Sequence, residues 1–434
     1  MIIKEKILFS IEELNTRLIE RDQLIKITIL AMFSKAHMFL IGERGVAKSL
    51  TIRLLENLIG DAKYWELQVG TDTEARQLFG EKRVADDGTT YYHAKNTVLD
   101  AHIIFLDEMF KAKTEILDML LQIMADKYYT TGDGKMIDVP LIFLIGASNE
   151  YPMGSLAEPY LDRLLFWYDV ERIKDKDKRL QFFNSEFNTK PIEKPIFTLD
   201  EIEDVYRASK SIKFTPEILE KFNSIVDLLI LQGVKTSDRK YRNSIKSMQV
   251  SAYINGRDTI DYSDIFLLIF TSWHNDVEKR KVDDVIFFAM FSNKAKLEGS
   301  IKDIRDGFKK IDTFFKGNLY DFSNHLVSFL GAKAEETYLS YRNEVYACLN
   351  AYDELYVSLQ GVQNKIDEIY YIEKEIEENI FFTNIKNDSI SDFILEEIKI
   401  LHSEITLEWN NIKKWIDVNN SLSKYNEIKE RSGT

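Results

Sequence analysis

Gly42-Glu43-Arg44-Gly45-Val46-Ala47-Lys48-Ser49 is the stretch on which the reading of this chain turns. It follows the apolar run His37-Met38-Phe39-Leu40-Ile41, short enough for one buried strand, and precedes Leu50-Thr51-Ile52-Arg53-Leu54-Leu55, which has helical periodicity. Strand, glycine loop, Lys-Ser and helix is the context of a phosphate-binding loop. Glycines let the backbone curl so that its N–H groups face phosphate oxygens, and the helix N-terminus adds its positive dipole end. In that setting Lys48 reaches the β- and γ-phosphates and the Ser49 hydroxyl sits on Mg²⁺. The usual glycine before the lysine is replaced by Ala47, a change that a right-handed, helical φ would accommodate. A glycine turn into an ordinary helix would produce the same eight residues, so the downstream motifs decide.

Working outward, the next apolar run with chemistry at its end is His102-Ile103-Ile104-Phe105-Leu106-Asp107-Glu108. It reads as a buried parallel strand with acids at its C-terminal end, where ligands bind in open α/β sheets. Asp107 is placed to hold Mg²⁺ and its water shell, and Glu108 to orient or deprotonate an attacking water. Leu141-Ile142-Phe143-Leu144-Ile145-Gly146-Ala147-Ser148-Asn149 is a further buried strand; Asn149 at its end can bond a γ-phosphate and the water beside it. Lys63–Gln68 and Leu164–Val170 complete five strand candidates, the last preceded by Asp162-Arg163. Between them, Glu81–Ala94, with Asp87-Gly88 at its tip, and Lys127–Ile137, with Gly132-Asp133-Gly134, carry hairpin signals.

Helical periodicity covers 8–34, with a break at Glu20-Arg21-Asp22, and recurs at 48–60 and 114–125. A charged stretch with Pro191 and Pro195 joins the α/β region to a helical one at 199–274. There Thr215-Pro216-Glu217 and Ser237-Asp238-Arg239-Lys240 are helix starts. From about 276 the chain holds no proline, and Ile366, Ile369, Ile372 and Ile376 recur at helical spacing, as do Ile390, Phe393, Ile394 and Leu401. That pattern describes long amphipathic helices. The expected division is therefore 1–190, an α/β nucleotide-binding core; 191–275, an all-α lid; and 276–434, an all-α C-terminal arm.

A chain of 434 residues fits two or three such domains. Its 45% apolar and 29% charged residues describe an ordinary globular protein. The net charge of −14 argues against a protein whose main work is gripping a nucleic-acid backbone. One cysteine, Cys348, precludes an internal disulfide and fits a reducing compartment. The start Met1-Ile2-Ile3-Lys4-Glu5-Lys6 lacks the apolar core of a signal peptide. No apolar run approaches the roughly 18 residues of a membrane helix, so a cytoplasmic protein without membrane insertion is expected.

Phosphate loop after the first strand, Asp-Glu after the third, Asn after the fourth and Arg before the fifth is an order that resembles the AAA+ ATPases. The chain looks most like their MoxR family, and within it the RavA (regulatory ATPase variant A) branch. The similar pieces are Gly42 to Ser49, Ile104–Glu108, Ala147-Ser148-Asn149-Glu150, Asp162-Arg163 and Ser237-Asp238-Arg239, spanning residues 8–275. The resemblance implies a five-stranded parallel sheet with helices on both faces and two hairpin insertions. It implies ATP as the nucleotide, with Mg²⁺. Asn149 would be the first sensor, Arg239 the second sensor in the lid, and Arg163 the arginine finger lent to a neighbour in a homo-oligomeric, hexameric ring. It further implies chaperone-like remodelling of a protein client, with a von Willebrand factor A domain partner. A RavA-like β-rich lobe is not visible in the helical tail. The alternative is a nucleic-acid-directed NTPase, helicase-like or restriction-linked, with Lys82, Arg83 and Lys135 on the hairpins serving that role.

Overall fold

The computed structural model describes residues 2–84, 90–152, 158–184, 195–291, 294–328, 333–382, 398–407 and 410. The expected turn at Asp87-Gly88, Pro191, and Ile390, Phe393 and Ile394 of the tail lie outside them. Two compact units are present: Met1–Ala289 with Lys374–Ile385, and Met290–Glu373 with Lys386–Thr434.

Among the described residues, nine strands of the first unit precede the lid. They are β1 (His37–Ile41), β2 (Tyr64–Gln68), β3 (Glu81–Val84), β4 (Thr90–His93), β5 (Ile103–Asp107), β6 (Tyr128–Thr130), β7 (Met136–Asp138), β8 (Phe143–Ser148) and β9 (Leu164–Asp169). Five of them form one parallel sheet in the order β2-β5-β8-β1-β9. Every residue of β1 and β8 is buried, as continuous apolar strands must be when helices cover both faces of a parallel sheet. The helix Asp22–Phe33 is buried along most of its length, in keeping with its apolar sequence. The strand order reverses at β1, which lies between β8 and β9. A crevice opens at the carboxyl ends of the strands at such a switch point.

Both hairpins form. β3 pairs with β4 from Glu81↔His93 to Val84↔Thr90, and β6 with β7 from Tyr128↔Asp138 to Thr130↔Met136. They meet each other: Lys82 pairs with Asp133 at 3.2 Å, and the Tyr92 and Tyr129 rings lie 6.1 Å apart. The Phe79 ring stacks on Tyr129 at 5.3 Å. Val84, Tyr91 and Met136 stay exposed on these insertions.

The lid comprises Leu199–Ser209, Pro216–Leu231, Asp238–Ile254 and short helices after Asp261. Thr198, Thr215, Ser237 and Asp261 cap their helices through side-chain oxygens, as those residue types at helix starts should. The lid is helical apart from a two-residue parallel pairing of Lys213–Phe214 with Thr259–Ile260. Trp273 of the lid packs edge-on against Trp167 of β9 at 5.9 Å, and Phe270 stacks on Tyr168 at 5.9 Å.

The change of composition at 276 does not coincide with the edge of this unit. Asp276–Phe291 forms a helix that buries Val282 and Ile286 completely, and the unit runs on to Ala289. Farther along, the Asn379 side chain is 2% exposed. Its amide donates to Ser263 at 2.8 Å and Ser251 at 3.2 Å, and its oxygen accepts from Asn255 at 3.0 Å. Gln23 and Lys26 donate to the Phe381 and Phe382 carbonyls at 2.8 and 3.1 Å. In the second unit, Lys294–Ser328 and most of Lys333–Glu378 are long helices, joined through Phe308 and Tyr352 at 5.8 Å.

Candidate nucleotide site

Register brings together residues far apart in sequence. Ile41 lies beside Ser148, Ala147 beside Asp107, and Asp107 beside Gln68. The polar residues just past the apolar parts of β1, β5 and β8 therefore share one end of the sheet. A cavity of about 360 Å³ opens there, lined by Glu43–Leu50, Gln68, Asp107, Glu108 and Asn149.

The glycines of the loop are needed at two points. A Cβ on Gly42 would stand 2.5 Å from the Val170 carbonyl oxygen, and Gly45 has φ +81°. Ala47 departs from the expected helical φ: it lies in the left-handed region at φ 66°, ψ 27°. The helix begins only at Lys48, so residue 47 must still turn the chain out of the loop, and the alanine occupies a glycine-type conformation.

Lys48 is 7% exposed, and its ammonium donates to Gly42 O, to Glu43 O at 3.1 Å and to Asn149 Oδ1 at 2.9 Å. Burial lowers its pKa, and Asp107 and Glu108 pull it back up. Ser49 Oγ donates to Asp107 Oδ2 at 3.3 Å, and Asp107 Oδ1 accepts from the Glu108 N–H at 3.1 Å. Glu108, also left-handed at φ 56°, is 6% exposed. It accepts from the Asn149 amide, and Lys111 stands 3.5 Å from its other oxygen. One hydroxyl and one carboxylate side by side form a hard-oxygen pair that fits Mg²⁺ shared with phosphates, the usual way this ion is held. Among the described residues there is no group of three or more His, Cys, Asp or Glu that could hold a metal alone.

Known proteins match this arrangement in sequence and fold. Residues 5–197 match the family model described as the MoxR domain in the MoxR-vWA-beta-propeller ternary systems, and residues 217–286 match an AAA lid domain. The chain belongs to the MoxR family of AAA+ ATPases. It is 32% identical over 279 residues to an uncharacterized protein of Methanocaldococcus jannaschii, covering 64% of this chain and 74% of that one. Chaperone MoxR1 of Mycobacterium tuberculosis is 24% identical over 182 residues, 40% of this chain and 46% of that one. A solved structure of a candidate ATPase from Cytophaga hutchinsonii shares the fold with TM-score 0.55 at 17% identity, covering 67% of this chain and 95% of that one.

The other two residues singled out from the MoxR resemblance lie off the cavity wall. Arg163 stands just before β9, half-buried, with Nη1 donating to Pro159 O at 3.0 Å and Nε without a hydrogen-bond partner among the described residues. Arg239 is exposed on the first turn of Asp238–Ile254. Its neighbour Lys240 turns inward instead, fully buried 2.7 Å from His274 Nε2 and over the Trp167 ring. Sequence reasoning missed Gln68 as a wall residue, Lys111 as a partner of Glu108, and Arg21, which registers in the sequence only as a helix break.

Proposed function

We propose that the chain binds ATP with Mg²⁺ and hydrolyses it to ADP and phosphate. The observation that carries this is the convergence of Lys48, Ser49, Asp107, Glu108 and Asn149 on one cavity. Ser49 and Asp107 would hold Mg²⁺, which neutralises charge on the phosphate oxygens. Lys48 binds and orients the β- and γ-phosphates by a charge fixed in place by two loop carbonyls. Glu108 takes the proton of an attacking water, and its bond from Asn149 aims the carboxylate. The loop residues Glu43, Arg44 and Val46 supply backbone wall. Phosphoryl transfer is catalysed mainly by such positioning and charge stabilisation.

The larger reading is a ring motor, a hexamer, in which Arg163 acts on the neighbouring site and Arg239 approaches the nucleotide when the lid closes. Its work is chaperone-like remodelling of a protein client with a von Willebrand factor A domain partner, supported by the wording of the matched family model. The exposed Val84, Tyr91 and Met136 on the hairpins suit an apolar protein segment. The pairing of Lys82 with Asp133 already answers one of the cations that a nucleic-acid reading would use. The loop residues Val46-Ala47-Lys48-Ser49 and Ser237-Asp238-Arg239 support a place beside the RavA branch, and the absence of any membrane-crossing helix among the described residues accords with work in the cytoplasm.

The test is a pair of variants. Lys48→Ala should lose binding of a fluorescent ATP analogue. Glu108→Gln should keep binding and lose phosphate release. Wild-type turnover in Glu108→Gln would remove Glu108 from its role, and undiminished binding in Lys48→Ala would remove the site.

A further inference from the structure

Arg21 stands at the N-cap position of Asp22–Phe33, makes no side-chain cap bond there, and is 7% exposed. Its guanidinium spends its donors on main-chain carbonyls. Nε and Nη2 donate to Val46 O at 3.3 and 2.9 Å, Nη2 also to Glu171 O at 2.9 Å, and Nη1 to Glu20 O at 2.7 Å. One side chain thus joins the helix start, the phosphate loop and the exit of β9. Glu20, beside it, adds a second tie to the same exit by accepting from the Lys174 and Asp175 N–H groups at 2.8 and 2.9 Å.

The carbonyl that receives two of these bonds belongs to the peptide between Val46 and Ala47. No peptide in the described chain is cis. In a trans peptide the C=O and the following N–H point in opposite directions. Fixing Val46 O on Arg21 therefore turns the Ala47 N–H away from Arg21. That N–H belongs to a residue lining the cavity, immediately before Lys48. Ala47 is also the residue held at φ 66°, in a region that a Cβ disfavours. An alanine there needs an outside restraint that a glycine would not. Arg21 supplies one through a buried, charge-assisted fork whose planar geometry matches two carbonyls at once.

We propose that Arg21 is a positioning residue for nucleotide: it locks the Val46–Ala47 peptide in the orientation that offers the Ala47 N–H to a phosphate, and so offsets the alanine in the glycine position of the loop. The proposal rests on the nucleotide reading of this cavity. It makes Arg21 act through the loop and not by touching the reacting atoms. Its removal then weakens ATP and ADP alike and leaves the chemical step near its original rate.

The experiment compares wild type, Lys48→Ala, Arg21→Gln, Arg21→Lys, Ala47→Gly and the double variant Arg21→Gln/Ala47→Gly in the full chain. Each is checked for folding by circular dichroism, then titrated with fluorescent ATP and ADP analogues and assayed for phosphate release. Arg21→Gln should raise both dissociation constants about tenfold or more while kcat at saturation stays within about threefold. Arg21→Lys keeps the charge but not the fork and should fall between. Ala47→Gly alone is the reference for the double variant, in which it should recover most of the binding lost in Arg21→Gln. If Arg21→Gln does not fold, Arg21→Lys with and without Ala47→Gly is read the same way. A folded Arg21 variant that binds as wild type, a fall in kcat with binding unchanged, or a glycine that rescues nothing overturns the proposal. Wild type and Lys48→Ala separate this from the larger reading. If both bind alike or neither binds, the nucleotide site itself is wrong. If only wild type binds and the Arg21 series is flat, the site stands and the role of Arg21 falls.

Discussion

Ser237 Oγ donates to Asp162 Oδ1 at 2.7 Å while accepting the Lys240 N–H at 3.1 Å. A single hydroxyl therefore caps the lid helix Asp238–Ile254 and ties it to the residue directly before Arg163. Removing a serine cap costs about 0.5–2 kcal/mol, and here the tie to Asp162 is lost with it. Ser237→Ala should lower the thermal midpoint by a few degrees in a melt followed by circular dichroism. Ser237→Thr, which keeps the hydroxyl, should not. Equal midpoints for wild type and Ser237→Ala would mean that the cap bond contributes nothing.

Lys240, one turn on, provides a pH test. Burial pushes it down to about 7, with Asp162 and Glu278 pulling the other way. Its ammonium lies 2.7 Å from His274 Nε2, and Glu278 lies 3.3 Å from His274 Nδ1. The folded state thus sheds this proton near pH 7, whereas the unfolded chain holds it to about 10.4. Between those values the unfolded state binds more protons, so stability rises with pH. Lys240→Met should abolish that part of the rise. Urea unfolding of both proteins at pH 7 and 9.5 measures it; the expected difference is on the order of 1–3 kcal/mol. Parallel pH profiles for the two would show that Lys240 does not titrate in this window.

Asn379 ties the stretch before Phe382 into the first unit through Ser251, Asn255 and Ser263, next to Asp264, which burial pushes up to about 7 even beside Arg257. Truncating a buried hydrogen-bonding amide leaves partners unsatisfied at about 1–3 kcal/mol. Asn379→Ala should therefore destabilise the lid by that order in urea unfolding. A chain ending at residue 289, which lacks this stretch, should melt below the full chain and expose Phe266 and Phe270, whose rings lie 6.1 and 6.5 Å from Phe382. An unchanged melt in the shortened chain would show that Asn379–Phe382 adds no stability there.

These contacts mark the limit of what the sequence made legible. The sheet strands β1, β5, β8 and β9 are legible as short apolar runs, and in β5 and β8 the polar groups that follow, Asp107-Glu108 and Ser148-Asn149, mark the end of the sheet where the cavity forms. Ala47 was misread, since one residue type does not reveal which side of φ zero it occupies; the start of the helix one residue later decides. Arg21 looks like a helix break because its partners, Val46 and Glu171, lie 25 and 150 positions away. Arg239 and Lys240 are adjacent cations, and only the face that each presents separates the exposed one from the buried one. Asn379 sits in a charged, amphipathic stretch whose pattern is the same whether its apolar face meets a neighbouring helix or the lid.

Of the roles proposed, that of Arg163 depends most on assembly. Its Nε is buried without a hydrogen-bond partner among the described residues, and its backbone leads directly into β9. An arginine lent to a neighbouring γ-phosphate stabilises transition-state charge and can contribute on the order of 10³–10⁵ in rate. Under the proposed roles, a Glu108→Gln subunit would have a dead site of its own and a sound arginine, and an Arg163→Ala subunit a sound site and nothing to lend. Each variant alone should be nearly inactive. Mixed assemblies, with composition checked by native mass spectrometry, should regain phosphate release at interfaces that pair a sound site with a sound arginine. Strict coupling around a ring would reduce that gain, so several subunit ratios are needed. Mixed rings that never exceed either parent would leave Arg163 without a shared role. Wild-type turnover in Arg163→Ala alone would make it a structural residue holding Pro159 and the start of β9.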